Sequence, residues 1–246
     1  MIPKVIHQAC HDPSALPREL RENIDGLRAR NPRWEHRLYG REDMLQHLGS
    51  RLVEDEFRLV KRLNPNYPGM LTQVFRYVVG HREGGVYLSI TSGATRPLDE
   101  VLRGDDRYLL SQWANRLGEE YPGWGSHKEL SAVPGGEYQT WHIVAAPGHA
   151  YLEAVIAATL QNIRTYRLDQ CGAGGVALLR LCGGICYTLA IDPIRDKHPR
   201  RILDIRDIGF VASFYWPHGL LSHRGKDSYG NQTGPLLRHA GTETIA

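Results

Sequence analysis

Apolar positions along the chain switch repeatedly between helical spacing and short β-rich runs. Leu20, Ile24 and Leu27 recur at helical spacing behind Pro17, which predicts a helix over 18–30 that Asn31-Pro32 stops. Residues 42–48 and 52–63 read as two more helices, followed by the turn-rich loop Asn64-Pro65-Asn66-Tyr67-Pro68. Leu71, Val74, Phe75 and Val78 stand at i, i+3, i+4 and i+7, so 69–81 reads as an amphipathic helix closed by Gly84-Gly85. Leu152, Val155, Ile156, Leu160 and Ile163 mark another helix, and 174–181 a shorter one. The runs 4–7, 34–39, 86–90, 107–111 and 143–146 carry strand propensity. Strands alternating with helices predict an α/β fold, and no repeat or linker divides the chain, so 1–246 reads as a single domain.

Composition narrows the classes. With 246 residues, 41% hydrophobic and 23% charged, the chain can bury a sizeable core and is neither disordered nor fibrous. No apolar run is read as reaching the ~18–20 residues that cross a bilayer. The N-terminus lacks the basic and long apolar regions of a signal peptide, which places the protein in the cytoplasm as an expectation. Net charge is +3 with the signs interspersed, so no nucleic-acid stripe is expected. Cys10, Cys171, Cys182 and Cys186 form no CxxC pair and read as reduced, packed thiols.

Several segments carry a resemblance. Ile2-Pro3-Lys4-Val5-Ile6-His7-Gln8 opens the chain, and Asn31-Pro32-Arg33-Trp34-Glu35 precedes the second strand. Arg76-Tyr77, Gly84-Gly85-Val86-Tyr87 and Pro97-Leu98-Asp99 follow. Trp141, then Pro147-Gly148-His149, then Cys182-Gly183-Gly184-Ile185-Cys186-Tyr187-Thr188 complete the series. In this order and spacing, across roughly residues 2–190, they resemble glycosyltransferase family 32. That family includes the yeast Golgi initiating α-1,6-mannosyltransferase and bacterial capsule and lipopolysaccharide sugar transferases.

The resemblance implies a GT-A fold, a Rossmann-like mixed, mostly parallel sheet flanked by helices. It implies transfer of a hexose from a UDP- or GDP-hexose to a glycan or lipid-linked acceptor, with retention of configuration. The lack of a long apolar run predicts no transmembrane segment, and peripheral membrane contact is compatible with such acceptors.

The departures fall on the chemistry. Where the family carries Asp-x-Asp, this chain has Ser89, Ile90 and Thr91, and hydroxyls are poor substitutes for the carboxylates that hold Mn or Mg. The family's Asp three residues before Arg-Tyr is Gln73 here, and the Trp after its first strand is replaced around Ala9-Cys10. No metal ligand and no catalytic residue is therefore assigned. Donor binding is expected at His7, Gln8, Gln73, Arg76, Tyr77, Ser89 and Thr91. Acceptor binding is expected at Trp124, Trp141 and His142.

Each assignment has a plainer rival. His7-Gln8 could cap a strand, Arg76 could pair with Glu83 or Asp99, and Ser89 and Thr91 could reflect strand propensity alone. Read as strand residues two apart, Ser89 and Thr91 would face the same way. His142 could be a core histidine. Asp99, Asp105 and Asp106 are spare carboxylates or solvated charge. Residues 222–246, with Tyr229-Gly230-Asn231-Gln232-Thr233-Gly234-Pro235, could form a lid or a frayed tail. The rival to an enzyme is an inactive relative that binds a glycan or partner.

Overall fold

The computed structural model describes residues 1–212 and 232–238. Its elements follow the alternation closely: β1 Val5–Ala9, α1 Arg18–Arg30, β2 Glu35–Tyr39, α2 Arg41–Arg51, α3 Glu54–Lys61, α4 Pro68–Arg82 and β3 Gly85–Leu88. Then come β4 Gly93–Ala94, α5 Leu98–Val101, β5 Tyr108–Leu110, β6 His142–Ala145, α6 Ala150–Thr165, α7 Leu168–Cys171, α8 Gly174–Leu181, α9 Gly184–Ile191, β7 Arg201–Ile202 and β8 Phe210–Val211.

Six strands form one sheet in the order β2-β1-β3-β6-β5-β7. β1 pairs in parallel with β2 and β3, and β5 with β7, while β6 runs antiparallel to both its neighbours. The expected mixed, mostly parallel α/β sheet is what forms. One face carries the large core around Phe75, Tyr77, Tyr87 and Tyr187; the other carries Ile6, Val86, Leu88 and Val144. β4 and β8 make a separate two-stranded ribbon.

Two differences from the sequence reading have physical causes. Helix α9 was not anticipated because it is buried on nearly every side, so its apolar residues carry no periodicity. The stretch Gly174–Lys197 is also long and apolar enough for a membrane span, contrary to the expected absence of such a run, but 67% of its window is buried inside the fold. It is built from α8 and α9, separated at Cys182-Gly183, and packs against α6.

Of the expected lid or tail at 222–246, only 232–238 are among the described residues, and Tyr229, Gly230 and Asn231 lie outside them. The described part is docked. Leu236 is fully buried, Leu237 bridges Leu63, and Asn64 donates from its backbone to Leu236 (2.9 Å).

Candidate functional site

The strand order reverses between β1 and β3. From β1 the chain returns on one flank to β2, and from β2 it crosses to β3 on the other. In open α/β sheets such a switch point leaves a crevice beyond the carboxyl ends of the strands. A cleft of about 530 Å³ opens there. The end of β1 supplies Ala9 and Cys10, and the segment after β3 supplies Ser89, Ile90 and Thr91. Helix α4 presents Thr72 and Arg76, while Arg41 of α2 and Lys61 of α3 line it from the other helices.

Arg76 is the site's buried cation, 6% exposed. Its Nη1 donates to the Thr140 carbonyl, its Nε to Thr72 (3.4 Å), and its Cζ lies 4.9 Å from the Tyr87 ring centroid. Neither expected carboxylate reaches it. Glu83 is taken by Arg37, His47 and Arg51, and Asp99 by Lys4 (2.7 Å) and Arg33 (2.6 Å). Arg76 therefore faces the cleft with its charge uncompensated by any carboxylate among the described residues. The Tyr87 hydroxyl beneath it is 1% exposed and has no hydrogen-bond partner among those residues. A buried donor without a partner marks a place that a ligand or water fills.

Ser89 and Thr91 line the cleft, but not as a strand pair. β3 ends at Leu88, and Ser92 donates from its backbone to Ser89 (2.8 Å), closing a turn over Ile90 and Thr91. The expectation that both side chains share a strand face is thus corrected. No hydrogen bond among the described residues uses either hydroxyl.

Four other expected donor residues are placed elsewhere. His7 is fully buried, with Nδ1 3.0 Å from the Tyr39 hydroxyl and Nε2 3.0 Å from the Gly84 carbonyl. Gln8 is equally buried, paired with His36 Nε2 (2.9 Å) and donating to the Ser89 carbonyl (3.3 Å). Both serve the strand seam, and neither lines the cleft. Tyr77 donates to the Cys182 carbonyl (2.9 Å) and stacks on Tyr187 (5.6 Å between centroids). Gln73 lies 3.2 Å from the same hydroxyl, on the turn of α4 that carries Thr72 to the cleft.

The three expected acceptor residues divide. His142 is a core histidine: Nε2 bonds Ser111 Oγ (3.1 Å), and burial pushes its pKa down to about 3, so it is neutral and not an exposed base. Trp141 stands opposite the turn, accepting from Ser89 N (2.8 Å), and packs on Phe210 with its Nε1 unpartnered among the described residues. Trp124 joins Trp113 and Tyr121 in a cluster with centroids 5.1–5.3 Å apart. That loop leaves the sheet at the carboxyl end of β5, two strands from β3. Cluster and cleft therefore belong to the same edge of the sheet, since β5 runs parallel to β3. Trp124 does not line the cleft itself.

The spare carboxylates also fall elsewhere. Asp99 accepts from Trp34 Nε1 (3.0 Å) as well as its two cations, and Asp106 pairs with Arg201 and caps Arg103 N (2.8 Å). Among the described residues, no group of three or more His, Cys, Asp or Glu is placed to hold a metal ion. The four cysteines are free thiols, and Cys182 and Cys186 are buried. Sequence reading missed Arg41 and Lys61. Both stand at helix ends far from Arg76 in sequence, and only the fold brings them to one cleft.

The buried imidazoles make stability sensitive to acid. Burial holds His7 and His36 near 4 and His142 near 3, against an ordinary 6.5. The unfolded chain takes up these protons as pH falls through 6.5, whereas the fold resists until about 4. Stability from neutral burial is therefore full above that range and is lost as pH falls across it. The melting temperature is expected to decline steadily from pH 6.5 to 4; a flat profile would contradict the described burial.

No family model matches the chain, and no curated protein matches it. A solved structure titled "PaToxG Glycosyltransferase" is similar in fold, with a TM-score of 0.56 at 14% identity, covering 80% of this chain and 72% of that one. The chain has an α/β, GT-A-like fold.

Proposed function

We propose that the protein is a hexosyltransferase using a nucleotide-sugar, with its donor in the β1/β3 cleft and its acceptor toward the aromatic cluster. The observation that carries this is the switch-point cleft with buried, carboxylate-free Arg76 beside the unpartnered Tyr87 hydroxyl. A guanidinium makes two parallel hydrogen bonds to phosphate, and in a partly dry cleft these are strong. The fold similarity to a glycosyltransferase supports the same reading, as does the family 32 resemblance of the motif order.

In the proposed reaction the bond from the anomeric carbon to the diphosphate oxygen breaks. The acceptor hydroxyl bonds to that carbon on the face the diphosphate leaves, so configuration is retained. Its proton passes to the departing phosphate oxygen, and nucleoside diphosphate is released. Arg76 stabilises the charge that grows on the leaving oxygen. The aromatic faces of Trp113, Tyr121 and Trp124 support an acceptor sugar.

A thermal-shift panel of UDP-, GDP- and CMP-sugars tests the donor. Saturation at about 100 times Kd contributes ~2.7 kcal/mol, or roughly 5–10 °C for a chain of this size. A UDP- or GDP-hexose is expected to give such a shift and to be consumed when a glycan acceptor is added. If no donor shifts the melt, the cleft is not a donor site, and a partner-binding role replaces the enzyme.

A further inference from the structure

The family resemblance implies a divalent cation between protein and diphosphate. The groups present do not fit one. The corresponding positions, Ser89, Ile90 and Thr91, offer two neutral hydroxyls on a tight turn. None of the described residues lining the cleft is Asp or Glu. A hard cation needs carboxylate and carbonyl oxygens, so this wall would hold it poorly. What the cleft carries instead is positive charge. Arg41 opens α2, Lys61 closes α3 and Arg76 lies on α4; all three line one cavity.

We infer that Arg41, Lys61 and Arg76 hold the donor's diphosphate directly, with no divalent cation between phosphate and protein. This rests on reading the cleft as the donor site, and it adds the two cations that line the same cavity from other helices. Arg76 is fixed in place by Thr72, Thr140 and Tyr87. Arg41 and Lys61 are more open: Arg41 lies 3.5 Å from Glu42, and Lys61 5.8 Å from the Phe57 ring centroid. Each phosphoryl group of a sugar nucleotide carries one negative charge, and the three cations that line this one cavity can compensate both.

The test uses the whole chain and calorimetric titration with UDP, GDP and inorganic pyrophosphate, in EDTA and again with Mn²⁺. At least one nucleoside diphosphate is expected to bind in EDTA within about threefold of its affinity with Mn²⁺. The variant Arg41→Gln/Lys61→Gln is expected to melt like the parent, since both sites are at helix ends, and to bind that diphosphate about tenfold more weakly. Its affinity for the corresponding nucleoside without phosphates should not change.

Binding that appears only with Mn²⁺, or a double variant that binds like the parent, overturns the inference and leaves the donor reading standing. If pyrophosphate binds in EDTA but neither nucleotide does, the cationic site stands and the donor reading fails. No binding by any of the three removes both.

Discussion

Arg76→Ala, in a chain that still folds, is expected to bind nucleotide-sugar about ten- to a hundredfold more weakly than the parent. Charge-assisted hydrogen bonds contribute roughly 1.5–3 kcal/mol each, and ~1.4 kcal/mol is tenfold in affinity. The residue also has a structural share, because its guanidinium satisfies the Thr140 carbonyl and covers the Tyr87 ring. Arg76→Lys separates the two roles. Lysine keeps the charge and most of the stem but lacks the planar fork, so it should recover folding and only part of the binding. Titration calorimetry on variants of matched melting temperature reads this directly. Undiminished binding by folded Arg76→Ala would make Arg76 scaffold and move the phosphate site elsewhere in the cleft.

A second large effect is expected from Gly85→Ala, on stability. Gly85 has φ +96°, a region side chains avoid. A Cβ there would stand 2.5 Å from Val5 Cγ1 and 2.6 Å from the Val5 carbonyl oxygen. The obstacle is the backbone of β1, which cannot swing aside as a side-chain tip can. β1 and β3 would have to separate at the seam on which the cleft is built. Strain and overlap together should cost at least about 3 kcal/mol, lowering the melting temperature by roughly 10 °C. Gly84→Ala meets Pro147 and the Ala145 carbonyl at 2.7–2.8 Å and should follow the same trend. A melt within a degree or two of the parent would mean the strands are not this close.

These glycines show what the sequence made legible. Periodicity located α1 and α8 to the residue, because each has one buried stripe, and it placed α4 within one residue at each end although residues 74–80 of that helix are buried all round. The motifs behind the family resemblance were found in order, yet several of them fasten the scaffold and do no chemistry. Asn31 Oδ1 accepts from Leu98 N (2.7 Å) and Trp34 donates to Asp99, so the second and fifth motifs clamp each other. Gly84 lies under Pro147, and Gly148 donates to the His81 carbonyl (2.7 Å). His149 caps α6 while its Nε2 meets the Pro199 carbonyl (3.0 Å).

A motif pattern records both kinds of constraint and does not distinguish them. His7 and His142 illustrate the loss: their residue type suggests reactivity, and burial decides against it. Arg41 and Lys61 illustrate the reverse. Nothing local sets them apart from other exposed cations, and only the crossing of α2, α3 and α4 over one strand end brings them together.

The docking of residues 234–237 against the loop before α4 bears on how the protein is made. Asn64 donates to the Pro235 carbonyl (2.8 Å) and Tyr67 to the Gly234 carbonyl (2.8 Å), partners 171 and 167 positions away along the chain. Both Asn64 and Tyr67 line the cleft. At ribosomal speeds of about 5–20 residues per second, roughly ten to thirty seconds separate synthesis of the two halves of that wall. The sheet seam between β1 and β3 can close early on the nascent chain, whereas the rim above it lacks these two hydrogen bonds until Gly234–Leu237 have emerged. Completion of this wall of the cleft is therefore a late step of translation, after most of the core has been synthesised.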